Sequence, residues 1–230
     1  MKKDIVILHG ALGSAKQFDE ISSVLSQTFN VHIHEFPGHG KRVDEEGEFT
    51  IENFAKDLQL FLDSFGHPIV VFGYSMGGYV SIYLAQQHPE LFERIVTLGT
   101  KFHWNVEEAI KETAMLNVEI MEQKIPKYCD YLKSLHGENW KIVVENTKHL
   151  MRSLGNKPLL DHDYCLKIET KIVLMLGSLD KMVTLEETKF MTEKLSNSTH
   201  QVIDGFPHPI NKVNAMQLAE YLVGFINGNE

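Results

Sequence analysis

The chain has 230 residues, of which 43% are hydrophobic and 23% charged, so it can fold around a sizeable core as one large domain or one domain with an insertion. Its formal net charge of -9 comes without a cluster of basic residues, which argues against a nucleic-acid partner. Two cysteines, Cys129 and Cys165, make no disulfide framework. Because the apolar stretches are short and no signal peptide is recognisable, we expect a soluble, cytoplasmic protein without a membrane partner.

Short apolar runs alternate with amphipathic stretches along the first 100 residues. The apolar runs predict buried strands at residues 5–8, 31–36, 69–72 and 95–98. Apolar residues at spacings of three and four predict helices over residues 14–28, 50–65 and about 79–87. Strands that alternate with helices predict a mostly parallel central sheet with helices on both faces, which is an α/β fold.

The stretch from residue 101 to 167 breaks this alternation, since its apolar residues recur at helical spacing and prolines and glycines punctuate it. Within it, residues 142–144 are the one candidate strand. Strands at 172–176 and 199–203 and a closing helix over 212–226 then resume the pattern. The predicted organisation is therefore a core of residues 1–100 and 168–230, with residues 101–167 inserted as a helical cap over the carboxyl ends of the strands.

The strongest chemical signal is at residues 73–77, which read Gly-Tyr-Ser-Met-Gly directly after a predicted strand and before a predicted helix. A serine hydroxyl is a poor nucleophile unless it projects freely towards a base and a substrate. A sharp strand-to-helix turn achieves this, and it needs small residues on both sides of the serine. The pattern predicts Ser75 as a catalytic nucleophile.

Two further residues follow later strands in an order that suits a serine nucleophile. Asp180 comes after the strand at 172–176, where a carboxylate can orient an imidazole. His208 lies in a loop between two prolines before the last helix, where a general base would be held rigidly. The chain order Ser75, Asp180, His208 is that of the triad on a doubly wound sheet.

A glycine-rich turn at residues 9–14 follows the first predicted strand. We expect the backbone amides of Ala11 and Met76 to bind a developing oxyanion, the second because it opens the helix after Ser75. The imidazole of His9 is interpreted as a brace for the turn, since a histidine there can hydrogen-bond its own loop.

Together these pieces resemble the α/β-hydrolase superfamily, and in particular its compact, cap-bearing serine esterase-like members. That group includes carboxylesterases, monoacylglycerol-lipase-like and proline-iminopeptidase-like enzymes and C–C bond hydrolases. The resemblance covers nearly the whole chain outside the insertion, and it includes the Pro-Gly-His-Gly turn at residues 37–40. It implies the fold, the triad of Ser75, Asp180 and His208 and the oxyanion hole, with His39 as a structural residue.

Other chemistries find little support in the sequence. His32 and His34 alternate on a predicted strand, but Phe36 and Pro37 stand where a metallo-hydrolase pattern needs an aspartate and a histidine. Residues 73–78 do not read as a dinucleotide fingerprint. We therefore expect neither a metal nor a cofactor.

The expected function is hydrolysis of a small, mainly apolar carboxylic ester or thioester through an acyl-enzyme. Two alternatives keep the same triad: a C–C bond hydrolase and a pyruvate-eliminating lyase of the menaquinone-pathway kind. The lyase branch has an arginine where this chain has Tyr79, and Arg152 is the single arginine of the insertion. A binding module without catalysis is a third alternative, disfavoured because all three triad residues are present. Candidate residues for the pocket of this small-molecule acyl substrate are the apolar side chains of Phe102, Trp104, Met115 and Tyr128.

Overall fold

A computed structural model describes the backbone of residues 2–160 and 162–228. Its centre is a sheet of six strands, β1 (Asp4–Leu8), β2 (Asn30–His34), β3 (Ile69–Tyr74), β4 (Phe92–Leu98), β5 (Ile172–Leu179) and β6 (Ser198–Pro207). They lie in the order β2-β1-β3-β4-β5-β6, and every neighbouring pair is parallel. The predicted α/β architecture is confirmed, and the sheet is wholly parallel.

Helices cover both faces of the sheet, as a parallel sheet requires. Alternate residues of β3 lie on opposite faces of the sheet, since Val71 packs into one apolar cluster while Val70 and Phe72 pack into the other. The covering helices are α1 (Asp19–Leu25), α2 (Ile51–Asp63), α3 (Met76–Gln87), α9 (Leu185–Lys194) and α10 (Ala215–Asn227). The first cluster lies under α2, α3 and α9, and the second lies under α1 and α10.

The segment between β4 and β5 is helical. Asn105 and Asn117 cap its first two helices by accepting hydrogen bonds from the backbone N–H groups of Glu108 and Ile120. The segment, called the inserted helices below, consists of α4 (Val106–Thr113), α5 (Val118–Lys124), α6 (Pro126–His136), α7 (Trp140–Asn156) and α8 (His162–Cys165).

The candidate strand at residues 142–144 was wrong, since these residues lie in α7. Val143 and Val144 are buried whereas Ile142 is 58% exposed. The buried residues of α7 continue at spacings of three and four through Thr147, Leu150 and Leu154. A short β-branched run is ambiguous by itself, and here the longer helical period decided the structure.

The strands after the insertion run further than the sequence indicated. β5 extends to Leu179 and β6 to Pro207, so they end directly before Asp180 and His208. Near the N-terminus, the predicted helix over 14–28 divides into a 3-10 turn (Ala15–Phe18) and α1. Among the described residues, no helix is long and apolar enough to cross a membrane.

Candidate active site

Ser75 occupies a sharp, strained turn between β3 and α3, with φ +52° and ψ -114°. Its N–H donates to the carbonyl of Leu98 (2.9 Å), and its carbonyl accepts from the Thr100 hydroxyl (3.1 Å). The turn leaves no room for larger neighbours. A Cβ on Gly73 would lie 2.5 Å from the Cα of Gly78, and one on Gly78 would lie 2.1 Å from Thr100 Oγ1. These glycines let the chain reverse and present the Ser75 side chain.

Asp180 and His208 are in direct contact, with Asp180 Oδ2 2.7 Å from His208 Nδ1. The Asp180 side chain is 2% exposed, and its other oxygen accepts the N–H groups of Met182 (2.8 Å) and Val183 (3.0 Å). The Tyr74 hydroxyl donates to the carbonyl of His208 (2.8 Å) and so fixes its loop. Because Nδ1–H donates to the carboxylate, Nε2 is left as the acceptor that a general base needs.

The sheet brings the three predicted residues to one edge. Ser75, Asp180 and His208 directly follow β3, β5 and β6, and β4 lies between the first two strands. Gly99 follows β4 with φ +63°. A Cβ there would lie 3.1 Å from Asp180 Oδ2 and 3.2 Å from His208 Nδ1, so the close approach requires glycine. Carboxyl ends of parallel strands are where such folds place their sites.

The turn after β1 lies against Ser75, since a Cβ on Gly10 would be 3.1 Å from Ser75 Cβ. Ala11 and Met76 line the same cavity as Ser75. Within the described part of the chain, neither of their amide N–H groups has a hydrogen-bond partner. Two unpaired N–H donors beside a serine hydroxyl form an arrangement that suits a developing oxyanion.

Buried neutral histidines brace the loops around this site. His9 Nε2 accepts the N–H of Phe36 (3.1 Å), while its Nδ1 donates to the carbonyl of Gly10 (2.9 Å). The predicted hydrogen bond from His9 to its own turn is therefore present. The pKa of His9 lies well below its usual range, mainly because the ring is buried and secondly because His39 lies beside it.

His136, at the end of α6, ties the inserted helices to the core. Its Nδ1 accepts the N–H of Gly40 (3.0 Å), and its Nε2 donates to the carbonyl of Leu12 (3.0 Å). Burial lowers its pKa, which keeps the ring in the neutral form that this pairing needs. Sequence reasoning missed this contact, because nothing local distinguishes His136 from a surface histidine.

A small cavity of about 40 Å³ opens beside Ser75, between the core and the inserted helices. Of the four candidate pocket residues, Trp104 alone lines it. Phe102 is buried against Tyr79, with ring centroids 6.5 Å apart. Met115 is 45% and Tyr128 39% exposed. The other residues that line the cavity are Ala11, Ile51, Met76, Tyr79, Lys101, Leu150, Met151 and Leu154.

Lys101 is a charged member of this lining, and carboxylates already surround it. Its ammonium lies 3.0 Å from Glu108 and 3.6 Å from Glu112. Burial alone would lower its pKa, but Glu187, Glu108 and Glu112 outweigh burial and raise it. The cation is thus neutralised by protein groups, and we infer that it is poorly placed to recruit a substrate carboxylate. Among the described residues, no cluster of histidine, cysteine, aspartate and glutamate side chains could hold a metal ion.

Comparison with known proteins agrees with this geometry. A family model described as alpha/beta hydrolase fold matches residues 4–118, half of the 230-residue chain. The chain belongs to this family. Among solved structures it is similar to NosK from Streptomyces actuosus, with a TM-score of 0.82, 20% identity and coverage of 99% of this chain and 98% of that one. At this identity the likeness concerns the fold alone.

Two curated relatives are similar in sequence. The pimeloyl-acyl-carrier protein methyl ester esterase of Nitrosomonas europaea is 31% identical over 97 residues, which span 42% of this chain and 37% of that enzyme. The uncharacterized hydrolase YugF of Bacillus subtilis is 24% identical, with 98% of this chain and 90% of that protein covered. The matched part is thus well under two thirds of the esterase and nearly all of YugF.

Proposed function

We propose that this α/β-hydrolase is a serine hydrolase that cleaves a small, mainly apolar carboxylic ester or thioester through an acyl-enzyme. The observation that carries the proposal is the strained Ser75 turn at the same sheet edge as the hydrogen-bonded Asp180–His208 pair. Strain of this kind concentrates at functional sites. The two relatives, one named an esterase and the other a hydrolase, support the same reaction class.

In the proposed mechanism, Ser75 Oγ attacks the carbonyl carbon while His208 Nε2 takes its proton. Asp180 keeps the imidazole in the required tautomer and stabilises the imidazolium that forms. The imidazolium then protonates the leaving alcohol or thiol as the tetrahedral intermediate collapses. Water, deprotonated by the same histidine, releases the acid and regenerates Ser75.

The amides of Ala11 and Met76 are assigned to the oxyanion. Loss of one such donor costs on the order of 3 kcal/mol of transition-state stabilisation. We further propose that residues 101–167 act as a cap that excludes water from the site, because Trp104, Leu150 and Leu154 of this segment line the cavity beside Ser75.

An ester or thioester suits the cavity better than a substrate whose carboxylates must be bound, as in the pyruvate-eliminating lyase. Lys101 is paired with glutamates, and Arg152 is exposed on α7. Tyr79, where the lyase branch has arginine, uses its hydroxyl to accept the N–H groups of Leu159 and Leu160, both at 3.1 Å. The pairing of Lys101 and of the Tyr79 hydroxyl disfavours the pyruvate-eliminating lyase, whose substrate carboxylates need a free cation beside the nucleophile.

The proposal is tested with p-nitrophenyl esters from acetate to decanoate and with a fluorophosphonate probe. The variants are Ser75→Ala and Ser81→Ala. Ser81 is a buried serine of α3, the helix that follows Ser75, and its hydroxyl donates to the carbonyl of Gly78. We expect Ser75→Ala to lose turnover and labelling, whereas Ser81→Ala keeps both. Labelling without ester turnover would favour a specialised substrate or the lyase, and absence of both would exclude the serine-hydrolase mechanism.

A further inference from the structure

Two cavities adjoin between α2 and α7, and they share three lining residues, Ile51, Leu150 and Leu154. The inner cavity is the one beside Ser75. The outer cavity is larger, with a volume of about 130 Å³ against about 40 Å³ for the inner one. The shared residues therefore separate the site of the proposed chemistry from a second space, and they are called the constriction below.

The constriction is apolar and buried. Ile51, Leu150 and Leu154 are 1%, 4% and 5% exposed. The two leucines are four residues apart on α7 and so lie on one face of that helix. Ile51 opens α2 directly after Thr50, whose hydroxyl accepts the N–H of Asn53 (3.1 Å) and caps the helix. A group that passes between these side chains has to be slender and uncharged, since nothing there would pair a charge.

The far side of the outer cavity is polar and open. Glu52, Ser153 and Lys157 line it and are exposed, and the half-buried Thr50 and Leu159 line it as well. An elongated ligand would thus meet apolar side chains near Ser75 and at the constriction, and then reach water. These surfaces, apolar near Ser75 and polar at the opening, fit a hydrocarbon chain that is buried along most of its length and meets water at its end.

We infer that the outer cavity is a subsite for the acyl chain of a medium-chain ester, reached from Ser75 across Ile51, Leu150 and Leu154. The inference rests on the proposed function and adds the substrate class to it. Because the inner cavity alone holds little more than a few water molecules, a chain longer than a short acyl group has to displace the leucines. The size of residue 154 then sets the acyl-length preference.

The experiment compares kcat/KM for p-nitrophenyl esters from acetate to decanoate in the wild type, Leu154→Ala and Leu154→Phe. One methylene in an apolar pocket is worth about tenfold or more in kcat/KM. We expect Leu154→Ala to raise the decanoate-to-acetate ratio at least about tenfold and Leu154→Phe to lower it by a similar factor. Leu132→Ala, a buried leucine of α6 that lines neither cavity, is the control for general loosening of the inserted helices.

The inference is overturned if both Leu154 variants, shown to be folded by thermal melting, keep the wild-type chain-length profile, or if Leu132→Ala shifts it equally. A second series, acetate esters of alcohols of increasing length, decides which side of the ester occupies the subsite. A shift in that series alone would assign the outer cavity to the alcohol and would contradict the inference. The proposed function is judged separately, since it depends on loss of turnover in Ser75→Ala.

Discussion

The neutral, buried His39 makes the stability of this protein depend on pH in a way that can be calculated. His39 stacks on Phe49 at 4.6 Å, and its Nδ1 donates to the carbonyl of Pro37 (3.1 Å). Its Nε2 is buried and has no hydrogen-bond partner among the described residues. Burial, opposed by the Pro37 carbonyl, lowers the pKa of His39 from 6.5 to about 3.

The sign follows from which state binds more protons. Between pH 6.5 and about pH 3 the unfolded chain protonates His39 while the folded protein does not, so the free energy of unfolding falls as the pH falls. The loss is about 1.4 kcal/mol per pH unit, which amounts to about 2 kcal/mol at about pH 5. The pKa values of His9 and His136 are also lowered, so these residues act in the same direction.

This contribution is measured by urea unfolding of the wild type and of His39→Phe, each at about pH 7.5 and about pH 5. Phenylalanine keeps an aromatic ring against Phe49 but does not titrate. We expect the variant to lose about 2 kcal/mol less than the wild type between the two pH values, whatever its stability at the higher pH. A change at the exposed His149, His149→Gln, is the control and should keep the wild-type loss. An unchanged pH dependence in His39→Phe would refute the reasoning.

Three further outcomes are expected. Asp180→Asn should lower kcat for ester hydrolysis about 10³- to 10⁴-fold, because the amide favours the wrong histidine tautomer; near-normal kcat would remove Asp180 from the mechanism. Gly73→Ala should unfold at lower temperature and lose ester turnover, since its Cβ would meet Gly78 at 2.5 Å, whereas Gly224→Ala, where nothing lies within 4 Å, should be neutral or stabilising by about 0.5–1 kcal/mol. Tyr79→Phe should destabilise the protein by about 1–3 kcal/mol in urea unfolding because two amides lose their acceptor; equal stability would show that these amides find another partner.

Local sequence patterns, each only a few residues long, predicted many of the strands and turns of this protein. Runs such as residues 69–72 are apolar throughout, because a strand of a parallel sheet is buried on both faces. The tight turn at Ser75 demands glycine at Gly73 and Gly78, and this steric requirement is visible in the sequence. Residues 142–144 show the limit, since a run of three β-branched residues fits a strand until the period of the whole helix is considered.

The sequence by itself determined the fold class and indicated that Ser75, Asp180 and His208 each follow a strand, because turn chemistry and strand burial are local requirements. Only the tertiary structure decided which side chains surround Ser75 and where the inserted helices attach. Leu150 and Leu154 have the spacing of residues on any core-facing helix, and His136 resembles a histidine at the end of any helix. Which surface a helix packs against depends on residues far away in the chain, and here that packing places Leu150 and Leu154 beside Ser75 while leaving Met115 exposed.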